Sequence, residues 1–213
     1  MKEKFFCPIC SGLEEEIISH LLNSSIVRSF NAHDYIYMQG ADYKGLFAIT
    51  KGNVELSNLN EDGKKVFVSK LSSNETFGES GAADSTYLEN AYSLTPTTCI
   101  FIPAESLKKL MTAYPELSSA VFAALNKWLI TFYNRFKILS QGDIRRRLEI
   151  YLLNESKKFN SNVFEINLHK HEVASNLGIR AETLSRLLKE LTVKGKISMN
   201  GKQVDISPLI KTS

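Results

Sequence analysis

The sequence predicts an α+β protein in which a body of short antiparallel strands precedes one long helix and a small helical module. From residue 25 to 103, short segments rich in β-branched and aromatic residues alternate with Gly, Asn and Asp turn signals. Helical periodicity without a breaker then spans residues 116–140. Beyond it, two short helical patterns meet at Gly178, and the hairpin turn Asn200-Gly201 follows.

The strand-rich part is expected to be a barrel, roll or sandwich, because no crossover helix separates its strands. A short amphipathic helix over residues 13–22 precedes it. The glycine in Lys51-Gly52-Asn53 predicts a hairpin-type turn. The predicted strands cover residues 26–30, 35–38, 45–50, 53–58, 65–71, 91–94 and 98–102.

The long helix carries an apolar stripe with spacings of mostly three and four residues, and some members repeat at seven. This pattern favours packing against a second copy of the same helix, although a face packed on the chain's own β body remains an alternative. The stripe comprises Val121, Leu125, Trp128, Phe132 and Leu139, preceded by Leu117. Gln141-Gly142-Asp143 then ends the helix. The predicted domains are therefore residues 1–113, the helix 114–140 and the module 141–213.

Charge separates the last domain from the rest. Residues 141–213 hold 13 Lys and Arg against 8 Asp and Glu, a net +5, whereas residues 1–140 carry a net −2. A basic module on a slightly acidic body suggests an anionic partner for that module alone, whereas charge by itself favours the alternative of a solvated basic surface. No apolar run approaches the roughly 20 residues of a membrane span, and an odd number of cysteines argues against disulfides. We therefore expect a soluble cytoplasmic protein without a membrane partner.

The C-terminal module predicts a helix-turn-helix followed by a hairpin wing. Its second helix presents Glu182, Ser185 and Arg186 on an outer face, where arginine can read guanine and glutamate can accept from cytosine. The alternative is a solvated face with an i,i+4 ion pair between Glu182 and Arg186. Basic residues around this face are candidate phosphate contacts: Lys170, His171, Arg180, Lys189, Lys196 and Lys202.

Several motifs together resemble the CRP/FNR family of bacterial transcription regulators. Gly40, Lys51-Gly52-Asn53-Val54 and Phe77-Gly78-Glu79-Ser80-Gly81 are similar to landmarks of the family's roll. Glu182-Thr183-Leu184-Ser185-Arg186 is similar to the recognition helix of its FNR branch. The resemblance implies a cupin-like β-roll of the cyclic-nucleotide-binding type (a double-stranded β-helix), a long dimerisation helix and a winged helix-turn-helix. It also implies a homodimer on double-stranded DNA with TTGAT-like half-sites, and RNA polymerase as partner if the protein activates.

The departures from the family pattern concern the effector. Members that bind cyclic AMP neutralise its phosphate with an arginine at the position held here by Glu89, and a carboxylate would repel that phosphate. The candidate effector pocket comprises Gly78, Glu79, Ser80, Glu89, Asn90, Phe132 and Tyr133. We expect an effector other than cyclic AMP; the alternative is a constitutive DNA-binding protein with a degenerate roll.

The cysteines leave open an iron–sulfur or redox sensor, which would use Cys7, Cys10 and Cys99. A cubane cluster needs four ligands, usually thiolates, and the sequence holds three cysteines. We therefore favour structural cysteines and predict neither a metal nor a firm cofactor. An enzyme built on the roll would need a cluster of His and carboxylate ligands, and the roll sequence has His33 alone. We therefore predict no enzymatic activity.

Overall fold

The structure is a computed structural model that describes residues 8–10, 12–61, 63–166 and 170–211. It divides into two compact units, residues 1–129 and 130–213. The division falls inside the long helix, so each unit contains part of that helix. Within the described ranges, no helix is long and apolar enough to cross a membrane.

The first unit is a β-roll made of two four-stranded antiparallel sheets. Its strands are β1 (Ile26–Phe30), β2 (Tyr35–Tyr37), β3 (Gly45–Lys51), β4 (Asn53–Leu59), β5 (Lys65–Ser72), β6 (Thr76–Phe77), β7 (Asn90–Ser93) and β8 (Thr97–Pro103). One sheet has the order β1-β8-β3-β6 and the other β2-β7-β4-β5. The roll confirms the predicted fold class, and the sequence pattern missed β6 because two residues are too short for a periodicity.

The turn at Gly52 differs from the predicted hairpin. Strands β3 and β4 lie in different sheets, so residues 51–53 form a corner between the sheets. Gly52 has φ +97°, and a Cβ there would lie 2.6 Å from the carbonyl oxygen of Pro96. Only glycine fits such a conformation and such a close approach. The glycine correctly predicted a turn. The strands with which β3 and β4 pair, however, are distant from this turn along the chain.

Three of the helices lie with the roll, and a fourth leaves it. They are α1 (Glu15–Asn23), α2 (Gly81–Asp84), α3 (Ala104–Ala113) and α4 (Pro115–Leu139). A hydrophobic cluster joins Ile17 and Leu21 of α1 to Leu117, Val121 and Ala124 of α4. The first turns of α4 are therefore part of the core of the first unit.

The described residues of the second unit form four further helices and a three-stranded sheet. These elements are α5 (Ile144–Phe159), β9 (Val163–Glu165), α6 (Lys170–Asn176), α7 (Ala181–Val193), β10 (Ser198–Asn200), β11 (Gln203–Asp205) and α8 (Ser207–Lys211). The antiparallel sheet has the order β10-β11-β9. The core of the second unit includes Leu148 and Leu152 of α5, Leu184 of α7 and Val204 of β11.

Candidate nucleic-acid interface and sensor site

The helix-turn-helix is formed by α6 and α7 around Gly178. This glycine has φ +66°, and Ile179 N donates to Ala174 O at 2.9 Å across the turn. Ala174 is buried, so the two helices approach each other closely at a small side chain. The local sequence therefore dictates the turn, because glycine supplies the left-handed conformation that ends α6.

The outer face of α7 exposes the side chains that the sequence predicted to read bases. Glu182 and Arg186 are exposed and Ser185 is half-buried, on the face opposite the buried Leu184 and Leu188. No ion pair forms between Glu182 and Arg186 in the described part of the chain. Both groups are therefore available to an incoming partner.

The basic residues near α7 fall into two groups. Lys170, Arg180, Lys189 and Lys202 are exposed, and the side chain of His171 lies outside the described residues. Lys196 instead forms an ion pair with the buried Glu149 at 2.7 Å. This pairing counts against the predicted phosphate contact by Lys196.

The run Arg145-Arg146-Arg147 serves the second unit's own structure. Arg145 pairs with Glu190 at 2.9 Å, and Arg146 pairs with Glu149 at 3.4 Å. Arg147 donates to Gln141 O at 2.6 Å and to Leu177 O at 3.2 Å, which satisfies a carbonyl at the end of α6. The three guanidinium groups point in different directions, as expected for consecutive residues of a helix.

The wing is the hairpin β10–β11. Met199 faces Val204 across it, and the turn glycine Gly201 has φ +59°. Val204 is buried, whereas Lys202 at the tip is exposed. The hairpin thus matches the prediction, and its tip presents a basic side chain.

The candidate sensor site centres on two buried carboxylates. The Glu79 and Glu89 residues are 7% and 8% exposed. Glu89 accepts hydrogen bonds from Tyr37 Oη at 3.0 Å and from Ser80 Oγ at 3.1 Å and 2.9 Å. Glu79 Oε1 is buried, and it has no hydrogen-bond partner in the described structure.

Gly78 and Asn90 shape the same loop. Gly78 has φ +92°, and a Cβ there would lie 3.3 Å from Gly45 O, so the backbone passes very close to β3. Asn90 Oδ1 accepts from Gln39 N at 3.0 Å, and its amide donates to Ser57 O at 3.2 Å. The amide group of Asn90 therefore bonds to the roll's own backbone. The other two predicted pocket residues, Phe132 and Tyr133, belong to the second unit and are exposed.

Burial alters the acid–base properties of this site. It raises the pKa of Glu79 to about 6; hydrogen bonds from Thr76 and the backbone oppose the rise, and the charge of Glu89 adds to it. Burial also raises the pKa of Tyr37 well above its usual value, with further contributions from Glu89 and Glu79. It raises the pKa of Tyr43 to about 12, and Tyr87 and Glu79 add to the effect. The carboxylates and the tyrosines therefore share one electrostatic environment.

The cysteines lie in hydrophobic surroundings. Cys10 and Cys99 are buried in two separate hydrophobic clusters, and Cys7 lies outside the described residues. Burial raises the pKa of Cys99 to about 12. The thiolate is the form that binds metals and reacts with oxidants, so this environment supports a structural cysteine at position 99.

The apolar stripe of α4 differs from the prediction. Val121 packs in the roll's core and Trp128 packs half-buried against the roll's aromatic cluster, so neither faces outward. Leu125 and Phe132 of the predicted stripe are exposed, and they share one face with the exposed side chains of Phe122, Leu129 and Phe136. Their spacing alternates between three and four residues, as at the a and d positions of a coiled coil. Helical periodicity located an apolar helix correctly but did not distinguish its two apolar faces.

Arg135 lies beside this exposed face and acts within the second unit. It donates to Ser175 O at 3.1 Å and to Ser175 Oγ at 3.2 Å, so it ties the end of α4 to α6. Leu139, the last member of the predicted stripe, is half-buried, and its Cδ2 would lie 3.0 Å from a Cβ at Gly178. The C-terminal end of α4 therefore packs directly against the helix-turn-helix.

Comparisons with known proteins match both units. The model of the cyclic nucleotide-binding domain matches residues 27–114, and that of the Crp-like helix-turn-helix domain matches residues 146–208. The transcriptional activator protein anr of Pseudomonas aeruginosa is 24% identical over 84% of this chain and 75% of its own length. The cAMP-activated global transcriptional regulator CRP of Haemophilus influenzae is 24% identical over 89% of this chain and 88% of its own.

Solved structures share the fold. A CooA mutant from Carboxydothermus hydrogenoformans has a TM-score of 0.76 at 17% identity, covering 99% of this chain and 95% of that one. The c-di-GMP-responsive global regulator CLP of Xanthomonas campestris has a TM-score of 0.74 at 21% identity, covering 91% and 99%. At such identities the likeness concerns architecture, and function must be argued from the sites.

Proposed function

The chain belongs to the CRP/FNR family of transcription regulators, and we propose that it acts as a homodimer on an inverted repeat in double-stranded DNA. The observation that carries this proposal is the outer face of α7, where Glu182, Ser185 and Arg186 stand beside the glycine turn and form no ion pair with any residue that the structure describes. Helices placed in this way enter the major groove with their N-terminal residues toward the bases.

The three side chains have different roles in this proposal. Arg186 donates two hydrogen bonds to guanine O6 and N7, and Glu182 accepts from cytosine N4. Ser185 is short, so it lets the helix approach the base edges. The FNR-like motif favours TTGAT-like half-sites, and the protein's two-fold symmetry places their centres about one helical turn, roughly 34 Å, apart.

Phosphate contacts supply affinity without sequence choice. Lys170, Arg180, Lys189 and Lys202 are exposed in the second unit and fit this role. Lys196 is left out of this set because it already pairs with Glu149. If the protein activates transcription, RNA polymerase is its further partner.

The exposed face of α4 supports the homodimer. Leu129 and Phe136 are 64% and 69% exposed on the single chain, and they belong to a seam with coiled-coil spacing. Two such seams bury each other, which removes the apolar surface from water. Leu129→Glu would place a charge at the centre of this seam, so sedimentation should show monomers. Ala123→Glu introduces the same charge at an exposed position outside the seam and should leave the dimer intact; equal behaviour of the two variants would refute this interface.

The effector we propose is not cyclic AMP. Two buried carboxylates lie in the loop region where the cyclic-nucleotide branch of the family neutralises the phosphate, and bringing a phosphate to them is electrostatically unfavourable. An effector acts by binding the DNA-competent arrangement of the dimer more tightly than the alternative.

DNA binding by the purified protein tests the proposal. Fluorescence anisotropy would compare a duplex carrying the FNR-like palindrome with a scrambled duplex, over a range of salt concentrations. Arg186→Ala should weaken binding to the palindrome by about 1–3 kcal/mol and leave scrambled DNA nearly unaffected, because the side chain reads a base. Lys189→Ala should weaken both about equally and reduce the salt slope by about one, as expected for a phosphate contact. An equal loss on both duplexes for Arg186→Ala would contradict the assigned role.

A further inference from the structure

The buried acidic site of the roll lacks a positive charge of its own. Neither Glu79 nor Glu89 forms an ion pair with any residue that the structure describes. Burial raises the pKa of Tyr87, and the charge of Arg28 opposes that rise without overcoming it. The guanidinium of Arg28 lies over the ring of Phe101 at 4.7 Å, and its side chain is exposed on β1. Buried carboxylates without a cation are costly, because burial removes the water that stabilises their charge.

The hydrogen bonds at the two carboxylates are unequal. Glu89 is satisfied by the hydroxyl groups of Tyr37 and Ser80. Glu79 Oε1 is buried and accepts none, and Glu79 directly precedes Ser80, whose hydroxyl group donates to Glu89. The site therefore presents one unsatisfied acceptor beside a second negative charge. A complementary ligand must bring both a positive charge and an N–H donor.

Aromatic rings surround the same site. Tyr37 stacks on Tyr87 with a centroid separation of 3.7 Å and lies 5.9 Å from the ring of Phe77. Tyr43 contacts Tyr87 edge-on at 5.4 Å. Aromatic faces next to carboxylates attract cations that carry some apolar surface, because the ring quadrupole adds to the charge attraction.

The donor set argues against a metal ion at this place. Among the residues that the structure describes, no group of three or more His, Cys, Asp and Glu side chains could hold one. The aromatic walls also offer hydroxyls of raised pKa rather than anionic oxygens. An ammonium group needs fewer anionic ligands than a divalent ion, and it supplies the N–H that Glu79 lacks.

We propose that the roll of this protein binds an organic ammonium cation, a primary amine, between Glu79 and Glu89. The inference rests on the proposed function, since it names the chemical class of effector for the sensing roll of a DNA-binding regulator. In the complex, the ammonium donates to Glu79 Oε1, its charge offsets both carboxylates, and its alkyl chain packs on the tyrosine rings.

Calorimetric titration of the full-length protein at pH 7.5 tests this assignment with putrescine as the probe. Choline has a positive charge but no N–H, so it should bind much more weakly than putrescine. Cyclic AMP and magnesium chloride provide the anionic and metal alternatives. Glu79→Gln should weaken putrescine binding by about tenfold or more, which corresponds to about 1.4 kcal/mol, and Glu89→Gln should also weaken it. Glu61→Gln, an exposed carboxylate in the β4–β5 turn, should leave it unchanged.

The ammonium site is overturned by any of three results. These are no saturable binding of putrescine up to about 1 mM, equal binding by Glu79→Gln and Glu61→Gln, and binding of cyclic AMP or magnesium in place of the amine. Thermal melts of each variant establish that it is folded. Anisotropy with the palindromic duplex on the same samples separates the two proposals. If the wild-type protein binds the duplex but not putrescine, only the proposed ligand is refuted. If the wild-type protein does not bind the duplex, the proposed DNA-binding function is refuted.

Discussion

The roll and the helix-turn-helix use their charged residues in opposite environments. In the roll, Glu79 and Glu89 are buried, and neutral hydroxyl groups satisfy one of them. On α7, Glu182 and Arg186 are exposed and form no ion pair with each other. Desolvation therefore governs the first site, while long-range attraction to a charged polymer governs the second. The state of the buried carboxylates should therefore depend on pH or on a small ligand, whereas the interactions of the exposed residues on α7 should depend on DNA and on the salt concentration.

The largest expected effect concerns protons at the buried site. The pKa of Glu79 is raised in the folded state to about 6 from 4.5, so the folded protein holds this proton more tightly than the unfolded chain. Its contribution to stability is therefore fully present below about pH 4.5 and is lost as pH rises through about 6, a change of about 2 kcal/mol. Urea unfolding of wild type and Glu79→Gln at pH 4 and pH 8 measures it.

Glu79→Gln should remove most of this difference between the two pH values, because the amide does not titrate. Glu61→Gln should retain it, since that carboxylate is exposed. If the free energy of unfolding depends on pH identically in wild type and Glu79→Gln, Glu79 is not the titrating buried carboxylate. The proposed difference between the roll and the helix-turn-helix would then be refuted.

A somewhat smaller effect is expected at the turn that positions α7. Gly178→Ala puts a Cβ into a left-handed conformation and within 3.0 Å of Leu139 Cδ2, so it should destabilise the second unit by about 1–2 kcal/mol. Gly142→Ala has no atom within 4 Å of its new Cβ and no such conformation, and it serves as the matched control. Calorimetric unfolding measures the stability of both glycine variants, and fluorescence anisotropy measures their DNA binding.

This pair of variants separates charge from placement. If exposed charges alone determined DNA binding, Gly178→Ala would bind the palindrome as well as wild type does, because no charge has changed. We expect weaker specific binding instead, since the turn sets where Arg186 and Glu182 project. Equal specific binding by both glycine variants would show that the turn is not needed for recognition.

The smallest effect distinguishes paired from exposed lysines of the second unit. Lys196→Ala removes a partner of Glu149 and should lower the free energy of unfolding by about 1 kcal/mol or less, because Lys196 is itself partly exposed. Lys202→Ala, on the exposed wing tip, should leave stability unchanged and reduce the salt slope of DNA binding by about one. Urea unfolding measures the stability of both variants, and salt titrations measure their DNA binding. A stable Lys196→Ala with a reduced salt slope, or a destabilised Lys202→Ala with the wild-type slope, would contradict these assignments.

Local patterns predicted much of the architecture. The predicted strands coincide with seven of the strands in the roll to within one or two residues, because alternation and turn residues act over short distances. The glycine turn before α7 and the Asn200-Gly201 wing were located by equally local signals. The exposed face of α4 was misassigned at Val121 and Trp128, since both apolar faces of the helix follow the same periodicity and only the packing of the roll distinguishes them.

At the functional sites, too, the residue types could be predicted from local sequence, whereas their partners and burial could not. Glu89 was identified from sequence as unfavourable to a phosphate, but its hydrogen bonds from Tyr37 and Ser80 depend on three separate segments meeting in the roll. The unsatisfied oxygen of Glu79 is a property of burial and has no signature in the chain. Lys196 looked like a free basic residue until Glu149, far away in sequence, proved to be its partner.

The amino-acid sequence by itself determined the order of the elements, the glycine turn of the helix-turn-helix and the chemical types on the outer face of α7. These features depend on backbone conformation and on periodicity within a few residues of each other. Tertiary structure alone decided which apolar face of α4 is exposed, which lysines form ion pairs and which carboxylates lose their contact with water. Those outcomes depend on burial and on partners that are distant along the chain, and free energies of desolvation arise only when the chain has packed.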